Sequence, residues 1–430
     1  MTAWVNPSAV RCARVPSKGG KRLSYFLVIL CAVEVQPVVH LGAPLAADEG
    51  PTRHVFVTDC EGRVRTGLLT AMDSGHLTLG NIEQVKLLTK NQRVLKVRDR
   101  TSIIGATDSL VILASGDMLV LGVETIDDES LTARWVRFPT WPAVKLSLET
   151  VRGVLMQRPE GQTAGARLLN QVLASREAQD AVILNNGDLL VGEFAGLDDK
   201  HLALQMPQGK SSIERTGIKA VIFNQTLTNS DPLKGEGALV SLTDGSRFRA
   251  RDLKFGALDR LTLRTLFGAV LDLPLSAVES LRFLGGCATY LSDLTAAEYK
   301  FEPFLELDWP LRRDQTVVGG FLSLRGVEYP KGLGVHSRSA VTYRLDGKFR
   351  RFHATIGVDD DTGGKGSVVF EALVDGKTAY KSEVLTGSSA PVVIERVDVS
   401  GAKLLTLRVD YATAGDIQDH ADWCDALLVK

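Results

Sequence analysis

The sequence predicts a mainly β protein, with tandem small antiparallel units followed by a separate C-terminal β-domain. Short apolar segments of alternating pattern run into turns that contain glycine, and the Asn-Gly and Asp-Gly pairs at two of these turns supply the positive backbone angles of tight hairpins. Such segments recur four times in the first two thirds of the chain. With 430 residues and 44% apolar content, the chain is long enough for several domains with conventional cores.

The amino terminus has the order of a secretory signal. Basic residues precede the apolar run of residues 23–33, and small residues follow around Ala43, Ala46 and Ala47. We therefore expect residues 1–47 to be a signal peptide, and the protein to be exported to the periplasm, the cell surface or the medium. No membrane span is expected after cleavage, although an uncleaved anchor or a true start downstream of Met1 stays open.

The charge balance argues against two classes of partner. The net charge is -1, and acidic and basic residues are mixed along the chain. Nucleic acids and anionic membranes are bound by clustered Lys and Arg. We therefore expect no nucleic-acid partner.

Four repeats organise residues 51–158 and 180–285. Each repeat starts with an apolar strand and a turn, at residues 55–62, 110–117, 182–188 and 239–246. We expect each to be a five-stranded unit, closing at residues 85–88, 151–155, 218–223 and 278–283. The order of apolar strand, turn glycine and outgoing strand is similar to that of Sm-like small barrels. A small barrel or a small sandwich both fit the pattern.

Two segments interrupt the strand pattern. Residues 162–179 have apolar positions at helical spacing and predict an amphipathic helix that divides the units into two pairs. Residues 287–303 are expected to be a linker with a short helix, capped by Asp293 or Thr295.

Three polar clusters mark the last third of the chain. They are Tyr-Pro-Lys-Gly-Leu-Gly-Val-His-Ser at 329–337, Gly-Val-Asp-Asp-Asp at 357–361 and Asp-His-Ala-Asp-Trp-Cys-Asp at 419–425. In this order, over residues 304–430, they resemble the NPCBM family of carbohydrate-binding modules. The resemblance implies a galactose-binding-like jelly roll, a β-sandwich that accompanies glycosidases and other exported proteins and carries no catalytic residue.

A sugar site needs an aromatic face for the ring and polar side chains for the hydroxyls. The C-terminal module supplies both. We expect the carbohydrate-binding residues to be His336, Arg338, Asp359, Asp360, Asp361, Asp419, His420, Asp422 and Trp423.

Each of these residues also has a structural interpretation. Trp423 could pack in the core, the two histidines could bond to backbone carbonyls, and residues 359–364 could form a solvated turn. The resemblance further implies a structural calcium ion. Because Asp359, Asp360 and Asp361 are adjacent rather than alternating, no calcium ligand is assigned.

The cysteines are too few for a disulfide framework. After signal cleavage, Cys60, Cys287 and Cys424 remain, so at most one bridge can form. Otherwise we expect them to act as small buried hydrophobes. Their spacing gives no zinc site.

No catalytic motif is present: the chain has no Gly-x-Ser-x-Gly, His-Glu-x-x-His, Walker or Gly-x-Gly-x-x-Gly sequence in a suitable context. We therefore predict an exported, non-catalytic carbohydrate-binding protein. Two alternatives stay open. One is a scaffold that binds protein partners through the β repeats, and the other is a glycoside hydrolase of unfamiliar sequence, because its two carboxylates need only be close in space.

Overall fold

The computed structural model describes most of the chain after the expected signal. The described residues are 54–60, 62–72, 77–80, 85–87, 92–96, 108–157, 162–176, 178–229, 233, 235–256, 259–303, 308–413 and 415–430. The predicted signal peptide, residues 1–47, lies outside them. Residues 50–430 belong to one unit of mutually contacting segments.

The repeats form four five-stranded antiparallel units. Their strands are β1 (His54–Asp59), β2 (Val64–Met72), β3 (Leu77–Gly80), β4 (Val85–Leu87), β5 (Gln92–Lys96), β6 (Ser109–Leu113), β7 (Met118–Ile126), β8 (Ser130–Arg134), β9 (Val144–Ser147), β10 (Val151–Leu155), β11 (Asp180–Leu184), β12 (Leu189–Leu197), β13 (His201–Met206), β14 (Gly209–Glu214), β15 (Ile218–Ile222), β16 (Gly237–Leu242), β17 (Arg247–Phe255), β18 (Arg260–Thr265), β19 (Val270–Pro274) and β20 (Val278–Leu284). In every unit the first strand pairs with both the second and the fifth. The predicted mainly β fold of small units is confirmed.

Local sequence explains why each unit bends. The turn glycines, Gly62, Gly116, Gly187 and Gly245, have φ values of 82–95°, which side chains with a Cβ rarely adopt. The second strand of each unit shifts register against the third, and such bulges increase strand twist. The four units share one apolar core.

The first unit closes later than expected. Residues 85–88 are predicted to close it, but among the described residues β4 pairs with β3, and β5 (Gln92–Lys96) is the strand that pairs with β1. The fourth and fifth strands are both short, so the sequence pattern did not distinguish them. Pairing with the first strand is the property that defines closure.

The closing strands also join the units. β5 pairs with β20, and β10 pairs with β15, so the first unit joins the fourth and the second joins the third. The predicted helix lies between the second and third units in the chain, and these two units pair directly through β10 and β15. It is α1 (Gln162–Ala174), and its Leu168, Leu169 and Val172 are buried against the sheet shared by the second and third units.

Helix α1 ends five residues before the expected end at 179. The guanidinium of Arg152 donates to the backbone carbonyls of Val172 and Ser175 at 3.2 and 2.8 Å. These are carbonyls of the last turn, which have no partner within the helix. The chain then extends into β11.

The C-terminal domain is a β-sandwich. Its strands are β21 (Ala288–Tyr290), β22 (Glu298–Phe301), β23 (Arg312–Arg313), β24 (Leu322–Leu324), β25 (Val327–Tyr329), β26 (Gly332–His336), β27 (Ser339–Arg344), β28 (Arg351–Val358), β29 (Ser367–Val374), β30 (Lys377–Lys381), β31 (Leu385–Thr386), β32 (Val392–Asp398), β33 (Leu404–Tyr411) and β34 (His420–Val429). One sheet has the order β23-β26-β34-β28-β32, with β21 beside β34. The other has the order β22-β27-β33-β29-β30, with β31 beside β29. The predicted sandwich is confirmed.

Residues 287–303, expected to be a linker, contribute to this sandwich. β21 pairs with β34, and β22 pairs with β27. Between them lies only a 3-10 turn, Leu291–Asp293, and Asp293 bonds to the ammonium of Lys331 at 2.6 Å rather than capping a helix. The domain therefore begins near residue 288.

A disulfide and an ion pair hold the sandwich against the repeats. Cys60 of the first unit is bonded to Cys287, while Cys424 is free and buried. Cys60 is also buried, in a small apolar cluster. Arg282 pairs with Asp425 across the same boundary. Within the described residues, no helix is both long and apolar enough to cross a membrane.

Candidate functional site

The three polar clusters of the sequence meet at one end of the sandwich. β26 ends at His336, which pairs with His420 at the start of β34, and β28 ends at Val358 opposite Ala421. Because neighbouring strands are antiparallel, the ends of β26 and β28 and the start of β34 share one edge. We call this edge the loop end.

An aromatic ring that the sequence analysis missed lies at the loop end. Trp309 is half-buried and stacks on His336, with ring centroids 4.8 Å apart and an interplanar angle of 2°. The ring of His420 is 5.6 Å from Trp309. The tryptophan belongs to an Asp-Trp-Pro segment outside any periodic strand, and this isolated aromatic beside a proline was the signal available.

The two histidines differ in their surroundings. His420 Nδ1 lies 2.7 Å from Asp361 Oδ1, so a carboxylate orients its ring. His336 is almost fully buried, and burial lowers its pKa to about 4, with the nearby His420 contributing in the same direction. At neutral pH the imidazole of His336 is therefore uncharged.

The carboxylate of Asp360 is hydrogen-bonded to a neighbouring hairpin. It accepts hydrogen bonds from Ser323 Oγ at 2.7 Å and from the backbone N–H groups of Arg325 and Gly326 at 2.8 and 2.7 Å. These bonds fix the turn between β24 and β25. Asp360 is thus a positioning group at the edge of the site.

Three of the candidate aspartates are buried beneath the loop end. Asp359 and Asp422 have no exposed surface, and Asp419 is 1% exposed. Burial raises the pKa of Asp359 to about 7 and that of Asp419 to about 6, and it raises the pKa of Asp422 well above the ordinary value. Asp359 accepts from the backbone N–H groups of Ser323 and Asp361 at 2.9 and 2.8 Å, so it holds the loop from below.

Arg338 is the exposed cation of the candidate set. Its backbone has a left-handed φ of 61°, and its guanidinium bonds to Glu302 at 2.6 Å and lies 5.7 Å from the ring centre of Tyr411. It follows His336 by two residues and stands beside the loop end.

Trp423 does not reach the loop end, and the expected stacking role is corrected. The ring is fully buried and packs 5.1 Å from Phe370 and 6.2 Å from Phe352, inside the sandwich. The opposite face of β34 is covered by the β24–β25 hairpin, which packs Leu322 and Leu324 on Cys424. Both faces of the strand are therefore in the interior.

Comparison with known proteins identifies this part of the chain. Residues 288–429 match the NPCBM/NEW2 domain. The C-terminal third is an NPCBM/NEW2 domain. This confirms the resemblance seen in the sequence and agrees with a domain start near residue 288.

Two curated relatives share this region. A Renibacterium salmoninarum protein that carries the name of an endo-alpha-N-acetylgalactosaminidase is 40% identical over 105 residues, which are 24% of this chain and 7% of the relative. Alpha-1,3-galactosidase B of Akkermansia muciniphila is 30% identical over 117 residues, 26% of this chain and 15% of the relative. The chain thus spans only a small part of each relative.

Solved structures that are similar to part of this chain include two from Clostridium perfringens. The CBM51 module from GH95, in complex with methyl-galactose, is 26% identical and covers 33% of this chain and 99% of its own, with a TM-score of 0.31. The CBM51-2 and INT domains of ZmpB are 25% identical and cover 42% of this chain and 40% of their own, also with a TM-score of 0.31.

The described side chains of the NPCBM/NEW2 domain assemble no calcium ligand set. Among the residues that the structure describes, no group of three or more His, Cys, Asp or Glu side chains is arranged to hold a metal ion. Asp359 is enclosed and Asp360 is bonded to the hairpin. A structural calcium ion stays a prediction of the sequence.

Proposed function

We propose that the chain is an exported, non-catalytic protein that binds glycans at the loop end of its NPCBM/NEW2 domain. The residues that would contact the sugar are Trp309, Arg338 and His420, and the buried side chains of His336 and Asp361 would support them from beneath. The observation that carries the proposal is the half-buried indole of Trp309, held flat by His336 beside the Asp361–His420 pair.

The chemistry of this arrangement suits a sugar. An indole face packs against the apolar C–H side of a pyranose, while directional donors and acceptors meet its hydroxyls. His420, oriented by Asp361, and the partly exposed guanidinium of Arg338 supply such groups. Asp359, Asp360, Asp419 and Asp422 would act indirectly, by shaping the loop rather than touching the ligand.

The surroundings of the carboxyl groups favour binding over hydrolysis. A glycosidase needs two carboxyl groups that flank the scissile bond. Asp359, Asp419 and Asp422 are enclosed, and Asp360 is bonded to the β24–β25 turn. Asp361 lies at the loop end, where it bonds to His420.

The bridge between Cys60 and Cys287 supports export. Structural disulfides persist in oxidising compartments and are rare where thiols are kept reduced. The charged amino-terminal segment with its apolar run points the same way.

A glycan array probed with the purified full chain tests the proposal. Galactose- and N-acetylgalactosamine-terminated glycans are the first probes, because these sugars occur in the names of the curated relatives. We expect Trp309→Ala to weaken the best interaction by about tenfold or more. Parallel arrays with calcium and with a chelator show whether binding depends on the metal.

Trp141→Ala is the matched control. Trp141 is also half-buried and stacks on a ring, that of Phe138, with centroids 4.1 Å apart, but it belongs to the repeats. Its loss should leave glycan binding unchanged. Equal binding by wild type and Trp309→Ala, with both folded in a thermal melt, would remove the loop end from consideration.

A further inference from the structure

A cavity lies between the repeats and the NPCBM/NEW2 domain, away from the loop end. It has a volume of about 840 Å³, in the upper part of the roughly 300–1,000 Å³ range of small-molecule sites. Phe56 and Arg282 line it from the repeats, and Tyr329, Val393 and Asp425 line it from the domain. We call it the interdomain cleft. None of the loop-end residues lines it.

Ion pairs that cross the boundary line the cleft. Arg282 Nε and Nη2 lie 3.2 and 3.4 Å from the two carboxylate oxygens of Asp425, and Arg282 Nη1 lies 3.1 Å from Ser280 Oγ. Arg247 pairs with Glu328 in the same way across the boundary. Each pair places planar N–H donors next to carboxylate acceptors.

The backbone of Asp425 is unusual at this point. It has a left-handed φ of 45° inside β34, and its N–H bonds to the carbonyl of Lys331 at 2.8 Å. Such a conformation is strained for a residue other than glycine and is concentrated at functional sites. Here it accompanies the placement of the Asp425 carboxylate among the lining residues of the cleft.

Apolar side chains face the cleft from both sides. Phe56 is 48% exposed on the repeat side, and Val393 is 62% exposed on the domain side. Exposed apolar groups of this size mark interaction sites when they lie together around a cavity. Together with the ring of Tyr329, they offer surfaces for the C–H faces of a ligand.

The charge pattern narrows the class of ligand. The arginines of the cleft are matched by the carboxylates of Glu279, Glu328, Glu395 and Asp425, so a polyanion would meet repulsion. An apolar ligand would cover the charged groups without replacing their hydration. A neutral polyhydroxylated chain satisfies both kinds of surface.

We propose that the interdomain cleft is a second carbohydrate-binding site, which takes a short neutral oligosaccharide. The volume has room for several linked sugar rings, in contrast to the single stacking face at the loop end. This site does not depend on the loop end, and both together would let one chain hold a polymer at two points.

The experiment measures binding of neutral di- to hexasaccharides, and of sulfated oligosaccharides for comparison, to the full chain. Three variants are compared with wild type: Trp309→Ala, the cleft double variant Phe56→Ala with Val393→Ala, and both sets together. Leu189→Ala with Val270→Ala is the matched control, because these side chains are 57% and 56% exposed and do not line the cleft. Thermal melts verify that each variant is folded.

We expect at least one neutral oligosaccharide to bind Trp309→Ala as tightly as wild type and to lose about tenfold or more in the cleft double variant. Complete loss of glycan binding in Trp309→Ala would overturn the cleft and leave the loop end intact. Binding that only the cleft variant weakens would uphold the cleft and overturn the loop end. Binding of sulfated chains alone, or of no glycan at all, would overturn the proposal.

Discussion

The buried carboxyl group of Asp422 leads to a quantitative prediction about pH. It has no exposed surface, and no N–H group of the described residues bonds to it, so its polar neighbour is the adjoining carboxyl of Asp359. Burial and the nearby acids raise its pKa well above 3.8. Asp422 therefore keeps its proton in the folded domain under conditions in which the unfolded chain loses it.

Proton linkage gives the direction and the size of the change in folding stability with pH. The folded state binds one more proton than the unfolded state once the pH exceeds the ordinary pKa near 4, so stability falls as pH rises. The slope for one proton is at most about 1.4 kcal/mol per pH unit, and it applies between the ordinary pKa of an aspartate and the raised pKa of Asp422. Asp422→Asn keeps the shape and a donor towards Asp359 but does not titrate. Relative to wild type, the free energy of unfolding of this variant should therefore rise with pH by up to that slope over this range.

Urea unfolding at pH 5, 6 and 7, with amide exchange measured on residues 288–429, separates the domain from the repeats. Asp410→Asn, on the exposed side of β33, is the control and should differ from wild type by a constant amount. A difference between wild type and Asp422→Asn that does not change with pH would refute the reasoning.

Three further outcomes are expected. Cys287→Ser removes a crosslink that spans 227 residues, so the free energy of unfolding should fall by up to about 5 kcal/mol. A reductant should lower the melting temperature of the wild type but not that of the variant. Trp423→Ala should destabilise the domain by about 3–5 kcal/mol in urea titration while Trp309→Ala costs much less; equal losses would contradict their different burial. Gly334→Ala would place a Cβ 2.3 Å from the carbonyl oxygen of Gln315 and should cost about 1–3 kcal/mol, and an unchanged urea midpoint would show that this strand can shift freely.

Local chemistry made part of the fold predictable. A glycine such as Gly187 or Gly245 is needed where the backbone turns with positive φ, so the hairpins and the number of units could be found from sequence. Which strand closes the first unit, and which units pair, depends on contacts between distant segments. No residue in β5 or β20 predicts from sequence that these two strands pair.

The candidate site likewise has a part that local sequence predicts and a part that depends on contacts between distant segments. Motif order located the loop end, and the structure brings His336, Asp361 and His420 together there. The closing motif suggested Trp423 as the stacking aromatic, but its ring packs against Phe370 and Phe352 inside the sandwich. Trp309 lies in an irregular segment, where periodicity gives no information about burial.

The pairing of β5 with β20 and of β10 with β15 fixes how many repeats this architecture can hold. In a solenoid, the last unit has an unpaired edge on which a further unit can pack, so copies can be added by duplication or lost by deletion. Here every closing strand is already taken by another closing strand. A fifth copy would find no partner, and deletion of one would leave an unpaired edge, so the array should evolve by substitution within units rather than by changes in their number.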